Sequence, residues 1–543
     1  MRTRRAISVL LISATLGQSG FAQGDPLSAI DWLSQPATAL SPNETVPSLA
    51  GQRLPQQPSS GQSAAQQSAT RAPSQKNDEP AIAETAISPG VETVVLGAPG
   101  RSAVGLLNPA RVGLPSDLWK KSNADLLIEL VDQIDLSVPS LARLMQVLLL
   151  AEADGPIGDG NAFLAARLKR LFDIGAVESS QALLERAGID DPVLFAQWSE
   201  LALLNGSGTH MCQTLGDKPE LSQDVVLKIY CTAQMGDWNR AATVLQTASA
   251  LGDLKPRQAQ LMAQFLDPDL AESQPVPLPP VRPSALTYRI YEAVGDPLPS
   301  LSLPLPFATL DLNGDNGWKP QLEAAERLAR SGALPPNQLL GIYSLREPAA
   351  SGGIWDRIEA FQTFENTLKT GPDSRVGTAL EDIWPQMASA GLTVTFAELF
   401  AENLSKRDLK GRAKRITERM IFLSPDYENL GPAHVSDTAE GRFLTAIAMG
   451  IEPTEPYPDL PHAATVAAAF SGQAAPDSLI EQAHDGKIGE VILQSIALFS
   501  IGAEGKSRAL GESLATFRAL GLEDIARRAA LELMLLDAEH ARR

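Results

Sequence analysis

The chain has 543 residues, a formal net charge of −19 and a pI near 4.8. Nucleic acids and anionic membranes are bound through clustered Lys and Arg, so this acidic composition speaks against both as partners. Beyond the N-terminal segment, no apolar run reaches the roughly 18 residues that a membrane-spanning helix needs, so we expect no membrane span.

The N-terminus has the parts of a secretory signal peptide. Basic MRTRR precedes an apolar run at residues 6–16, and small residues at Gly20 and Ala22 suit signal peptidase. The run is too short to span a bilayer, so we expect cleavage after Ala22 and a mature protein in the bacterial periplasm. Residues 3–5 match only part of a twin-arginine signal, which favours the Sec route and leaves twin-arginine export as the alternative.

The next segment, residues 23–35, is short and apolar. It contains DPLSAIDWLSQ, in which Asp25 and Pro26 suit the N-cap and first position of a helix. The expected docking side chains are Leu27, Ile30, Trp32 and Leu33. A helix of this length is only marginally stable in water. We therefore predict that it becomes ordered on docking, either onto this chain or onto a partner. The alternative is a trailing segment with no partner.

A polar tract follows at residues 36–87. It is rich in Pro, Ser, Gln and Ala and nearly free of aromatic residues. Such a composition cannot bury enough apolar surface to offset chain entropy, so we predict a disordered linker.

Order is expected from residue 88, where residues 91–96 could form a short extended segment, and helical periodicity dominates from residue 119 to the C-terminus and predicts an all-α fold. A Pro-rich connection at residues 274–307 divides it into an N-terminal lobe, 88–273, and a C-terminal lobe, 308–543. Four segments have the pattern of helical hairpins. Their turn glycines are Gly175, Gly236, Gly332 and Gly521.

The second hairpin, with Gly236, Trp238 and Ala241, resembles a tetratricopeptide-type repeat, and the other three resemble it more loosely. The resemblance implies stacked hairpins with an extended binding surface. No fixed 34-residue period holds, so the expected fold is an irregular α-solenoid. The alternative is an unrelated helical bundle.

Two stretches, DPLSAIDWLSQ and AVGLLNPARVGLPSDLW, resemble exported alphaproteobacterial proteins of unknown function, some automatically labelled antifreeze glycopeptide polyprotein. Antifreeze glycopeptides resemble tandem Ala-Ala-Thr arrays. Here the triplets at residues 241–243 and 463–465 are isolated and lie within predicted helices, which speaks against that label.

The two cysteines, Cys212 and Cys231, are 19 positions apart. A single close pair in an exported chain predicts a disulfide, which would restrict the unfolded chain by about 3 kcal/mol. We expect it to tie the NGSGTHMCQTLGDKP loop back onto the helix that contains Ile229 and Tyr230.

Two motifs approach known ion-binding patterns. Residues 505–507, GKS, lack the glycine that a phosphate-binding loop places five positions earlier, so a turn between helices is preferred. Asp311, Asn313 and Asp315 have calcium-loop spacing, but Asn316 and Leu322 replace the required Gly and Glu. The five histidines are scattered. We therefore predict no catalytic, cofactor or metal residues.

These features favour a non-catalytic periplasmic scaffold that binds a protein or peptide of the cell envelope. The alternative is a cell-wall glycan or peptidoglycan hydrolase, whose paired carboxylates would leave little trace in the sequence. An ice- or sugar-binding protein is a third class with less support.

Deleting residues 23–35 distinguishes the two docking hypotheses. If the segment docks onto its own chain, the deletion should lower the thermal midpoint of the purified protein, because buried apolar surface is lost. If the segment docks onto a partner, the deletion should leave the thermal midpoint unchanged and a co-purifying protein should disappear. Unchanged stability together with unchanged partners would contradict both.

Overall fold

A computed structural model describes residues 100–313 and 315–541 of this protein. The predicted signal peptide, the docking residues of segment 23–35 and the predicted linker at 36–87 lie outside the described residues. Within them the regular structure is entirely helical, and no strand is formed. The all-α prediction is confirmed.

The described residues form α-helices joined by short turns and 3₁₀ segments. The helices before residue 300 are α1 (Ala124–Gln133), α2 (Pro139–Leu150), α3 (Gly160–Asp173), α4 (Val177–Ala187), α5 (Pro192–Leu204), α6 (Gly208–Asp217), α7 (Val225–Gln234), α8 (Trp238–Leu251), α9 (Pro256–Leu266), α10 (Pro268–Ser273) and α11 (Ala285–Ala293). Those after it are α12 (Trp318–Arg330), α13 (Pro336–Tyr343), α14 (Ile354–Thr370), α15 (Asp373–Ser389), α16 (Thr393–Ser405), α17 (Gly411–Leu423), α18 (Tyr427–His434), α19 (Ala439–Ala448), α20 (Ala463–Phe470), α21 (Asp477–His484), α22 (Ile488–Ala503), α23 (Ser507–Ala519) and α24 (Glu523–Ala541).

The four predicted hairpins are present as α3–α4, α7–α8, α12–α13 and α23–α24. At their turns the chain enters the left-handed region, with φ of 90° at Gly236 and 78° at Gly521, where a Cβ would be strained. After the turns, the small side chains of Ser180, Ala241 and Ala526 are fully buried, which lets the paired helices approach closely.

The disulfide between Cys212 and Cys231 is present, with the two Cα atoms 4.9 Å apart. Its predicted setting was wrong in one respect. The segment around Cys212 is helix α6 and not a loop, because Met211, Cys212 and Leu215 form one buried face. The bond therefore joins two helices, α6 and α7.

The Pro-rich connection at residues 274–307 contains helix α11, which packs against α5 and α9. The hydroxyl of Tyr291 donates a hydrogen bond of 2.6 Å to the carbonyl of Pro277, which fixes the preceding prolines against the helix. All described residues belong to one compact unit. The division into two lobes stays a prediction.

Helix α2 packs against α3, α22 and α24, and nine of its twelve residues are buried. At its N-terminus the buried carboxylate of Glu532, from α24, accepts a hydrogen bond of 2.8 Å from the amide of Ser140. At its C-terminus the guanidinium of Arg167, from α3, donates to the carbonyls of Leu149 and Ala151 at 2.6–3.1 Å. Each charge has the sign that the helix dipole favours at that end.

The last helices pack against the first ones. Helix α24 contacts α2, and α22 contacts α1. Hydrogen bonds to backbone carbonyls also connect these regions. The amide of Gly489 donates to the carbonyl of Leu118 at 3.2 Å, and the side-chain hydroxyl of Ser500 donates to the carbonyl of Asp135. The array of hairpins is therefore closed between its two described ends.

Replacing Arg167 should destabilise the fold. The side chain is fully buried, and burial lowers its pKa to about 10, so it stays protonated at neutral pH. Arg167→Met would leave the carbonyls of Leu149, Ala151 and Ser102 without their donor and lower the free energy of unfolding by about 2–4 kcal/mol. Urea unfolding measures this. The control is Lys169→Met on the same helix, which removes exposed ion pairs and should cost under about 1 kcal/mol. Equal losses would contradict the capping role.

Glu532 should make stability depend on pH. Burial raises the pKa of its carboxyl above the ordinary 4.5, against the opposing effects of the Ser140 amide and Arg143. The folded chain then keeps a proton that the unfolded chain has lost, so this group's contribution to stability falls as pH rises from 4.5 through the folded-state pKa. Glu532→Gln keeps an acceptor for Ser140 and should gain stability relative to the parent as pH rises from 4.5 through the folded-state pKa of Glu532. Urea unfolding across that range tests this, and a difference independent of pH would contradict it.

Candidate functional site

Two cavities meet on the surface of the helical array. One, of about 800 Å³, lies between α15, α17 and the start of α19, and we call it the α17 cavity. The other, of about 470 Å³, lies where α2 and α16 begin, and we call it the α2 cavity. Ala388 and Glu539 line both, so the cavities are adjacent there, and we call the two together the groove.

One face of α17 forms a wall of the α17 cavity. Its side chains recur at helical spacing, namely Arg412, Arg415, Ile416, Arg419 and Phe422. The solvent exposure of this face decreases along the helix. Arg412 and Arg415 are exposed, whereas Arg419 and Phe422 are buried. A single helix therefore supplies charge at one end of the wall and apolar surface at the other.

The opposite wall is formed by α15 and by residues 438–441 at the start of α19. Gly441 is needed there, because a Cβ would lie 2.2 Å from the carbonyl oxygen of Ser436. On α15, Trp384 lies beneath the groove and its Nε1 donates to Glu539 at 3.3 Å. Together with Phe422 and Leu444 it forms an apolar floor.

Arg419 joins three helices at the middle of the groove. Its Nε and Nη2 donate to Glu440 Oε1 of α19 at 3.1 and 2.8 Å, and its Nη1 donates to Glu539 Oε1 of α24 at 2.7 Å. The side chain is only 7% exposed. One guanidinium thereby pairs with both carboxylates, which fixes the walls relative to each other and leaves the cluster with a formal charge of −1.

Arg412 and Arg415 differ from Arg419. In the part of the chain that the structure describes, neither has an ion pair or a side-chain hydrogen bond, although both line the cavity. They belong to residues 406–415, which carry six Lys or Arg and one Asp in a chain of net charge −19. Of these basic residues, Arg412 and Arg415 line the α17 cavity, where they are the two cationic side chains without an intramolecular partner among the described residues.

The α2 cavity has mixed charge. Arg170 and Arg330 line it, together with Asp135, Asp173 and Glu539. Arg170 donates to the carbonyl of Ile134, its Nε is buried without a partner among the described residues, and burial lowers its pKa. This cavity is thus lined by two cationic and three anionic side chains.

The structure places the other motifs away from the groove. Residues 505–507 form the turn between α22 and α23. Asp311 is buried and accepts hydrogen bonds from Asn316 Nδ2, at 2.7 Å, and from Ser300. Among the described residues, no group of three or more His, Cys, Asp or Glu side chains could hold a metal ion. Leu27, Ile30, Trp32 and Leu33 lie outside those residues.

Sequence reasoning did not identify the groove. Its best sequence signal was the concentration of Lys and Arg at residues 406–415 in an otherwise acidic chain. The partners of Arg419 were not detectable, because Glu440 and Glu539 are 21 and 120 positions away. Only the packing of α19 and α24 onto α17 brings them together.

No protein-family model, curated protein or solved structure matches this chain. Among the helices that the structure describes, none is long and apolar enough to cross a membrane.

Arg419 and Arg412 should respond differently to substitution. Arg419→Gln removes the guanidinium shared by Glu440 and Glu539 and should lower the free energy of unfolding by about 2–3 kcal/mol, less than for a fully buried pair because Glu440 is partly exposed. Arg412→Gln, on the same face, removes no intramolecular partner and should leave stability unchanged. Thermal and urea unfolding test this, and an equal effect of both substitutions would contradict the assignment.

Proposed function

We propose that this protein is a non-catalytic helical scaffold that binds a protein or peptide in the groove. The observation that carries the proposal is the adjacency of the two cavities, which share Ala388 and Glu539 and lie side by side between helices. The signal-like N-terminus supports export to the periplasm, and with it a role in cell-envelope assembly or maintenance.

The groove has the composition of a recognition site. Each cavity has the volume of a typical ligand pocket, and the two together offer room for an extended segment. Arrays of helical hairpins commonly use such surfaces to bind polypeptides. An apolar floor beside charged side chains supports binding of a segment with both apolar and polar groups.

The alternative, a cell-wall glycan hydrolase, has one observation in its favour. Four carboxylates line the α17 cavity, those of Glu418, Glu440, Asp459 and Glu539. A hydrolase needs one of a pair as proton donor and the other as base or nucleophile. Here Glu440 and Glu539 share Arg419, and Glu418 accepts from Ser436, an arrangement that supports binding. Release of soluble sugars from purified peptidoglycan would favour the hydrolase.

Site-specific photo-crosslinking tests the scaffold. A photoreactive residue at Thr438 or Asp459, both exposed and lining the groove, should yield covalent adducts with a protein or peptide in the cell envelope. The control position is Arg508, exposed on α23 and outside the groove. Absence of adducts at the groove positions, or equal labelling at Arg508, would contradict the proposal.

A further inference from the structure

We infer that the groove recognises an acidic peptide segment, with carboxylates of the partner on Arg412 and Arg415 and an apolar side chain on the floor beside Trp384. This inference rests on the proposed function, because it names the chemistry of the peptide that the scaffold binds.

The first step is that Arg412 and Arg415 are available. They lie three positions apart on α17, so their guanidinium groups extend from one face into the same cavity. The neighbouring arginines are occupied, since Arg407 donates to Asp373 and to the carbonyl of Leu368, and Arg419 donates to Glu440. Arg412 and Arg415 thus carry unused donors in a geometry that suits carboxylate oxygens.

The second step concerns the location of this charge. The two guanidinium groups lie within the first turns of α17, where the helix dipole adds positive potential and Lys410, at the N-cap position, makes no side-chain capping bond. Lys414 lies on the same turns but does not line the cavity. An anionic group that enters the cavity beside the start of α17 would therefore meet both guanidinium groups.

The third step distinguishes a peptide from a polyanion. Glu418, Glu440 and Asp459 line the same cavity, and the whole chain carries a net charge of −19, so a row of phosphates would be repelled beyond the arginine end. A peptide presents only a few carboxylates, and its backbone N–H groups can donate to acidic side chains. Two unpaired guanidinium groups beside four carboxylates therefore favour a peptide with a few acidic residues over a nucleic acid or an anionic lipid surface.

The fourth step is the apolar part of the site. Next to the arginine end, the cavity is lined by Pro385 and Val435 above the buried rings of Trp384 and Phe422. A leucine or aromatic side chain of the peptide would remove this surface from water. The expected ligand thus has acidic residues adjacent to one or two large apolar residues.

Selection from a display library of random 12-residue peptides tests this with the full mature chain as bait. The parent chain should enrich peptides with Asp or Glu next to Leu, Phe or Trp. The Arg412→Gln/Arg415→Gln variant should lose the acidic enrichment and bind a selected peptide about tenfold more weakly or worse. The matched control is Lys410→Gln/Lys414→Gln, which removes two positive charges from residues that do not line the cavity and should select and bind the same peptides.

The outcomes are separable. Enriched peptides without an acidic bias, or an unchanged bias in the double variant, would overturn the inference and leave the peptide scaffold standing. No enrichment by the parent chain would count against both. Displacement of a selected peptide by a single-stranded oligonucleotide or by phosphatidylglycerol vesicles at matched charge concentration would show a general polyanion site and overturn the inference. Circular dichroism of both variants confirms that each is folded.

Discussion

The structure depends on helix α2 being held at both ends by charges from distant parts of the chain. A helix leaves unpaired amides at its start and unpaired carbonyls at its end, and both are costly when they are buried. In α2 nine of the twelve residues are buried, and the N-cap residue, Val138, has no side chain able to accept a hydrogen bond. Glu532 and Arg167 supply the missing partners. Without them, the most buried helix of the N-terminal region would carry unsatisfied polar groups.

This requirement also determines where the last helix lies. For Glu532 to reach the amide of Ser140, α24 must cross the start of α2. Seven residues further along α24, Glu539 then lies beside Arg419 and Trp384. Glu532, which accepts the hydrogen bond from the start of α2, and Glu539, which lines both cavities, thus lie on the same helix. The groove is a consequence of closing the array.

Buried polar clusters stiffen the helices near the groove. Glu326 accepts from the hydroxyl of Tyr343 at 2.6 Å and from Arg357 in a bidentate pair at 2.8 Å, which joins α12, α13 and α14. Burial beside this carboxylate raises the pKa of Tyr343 well above its ordinary value, so the phenol remains a donor. A matching contact joins Tyr427 of α18 to Asp524 of α24 at 2.7 Å. Side chains with intramolecular partners of this kind hold the helices together. Arg412 and Arg415 have no such partner among the described residues and are available to a ligand.

The sequence by itself determined the local elements. Periodic apolar residues and a glycine at each turn specify a hairpin within about 25 residues, and the spacing of Cys212 and Cys231 was enough to predict their bond. The helical state of α6 was missed because its glycines and polar residues have the composition of a loop, while the packing of Met211 and Leu215 decides otherwise. Only the tertiary structure decided the closure and the groove. Glu532 and Ser140 are 392 positions apart, and an acidic residue on a predicted helix has the same sequence pattern whether it faces water or a distant helix. A hairpin can be predicted from a short stretch of sequence because its hydrogen bonds and its apolar face involve residues close together in the chain. Whether a charged side chain is buried depends on which distant helices pack against each other.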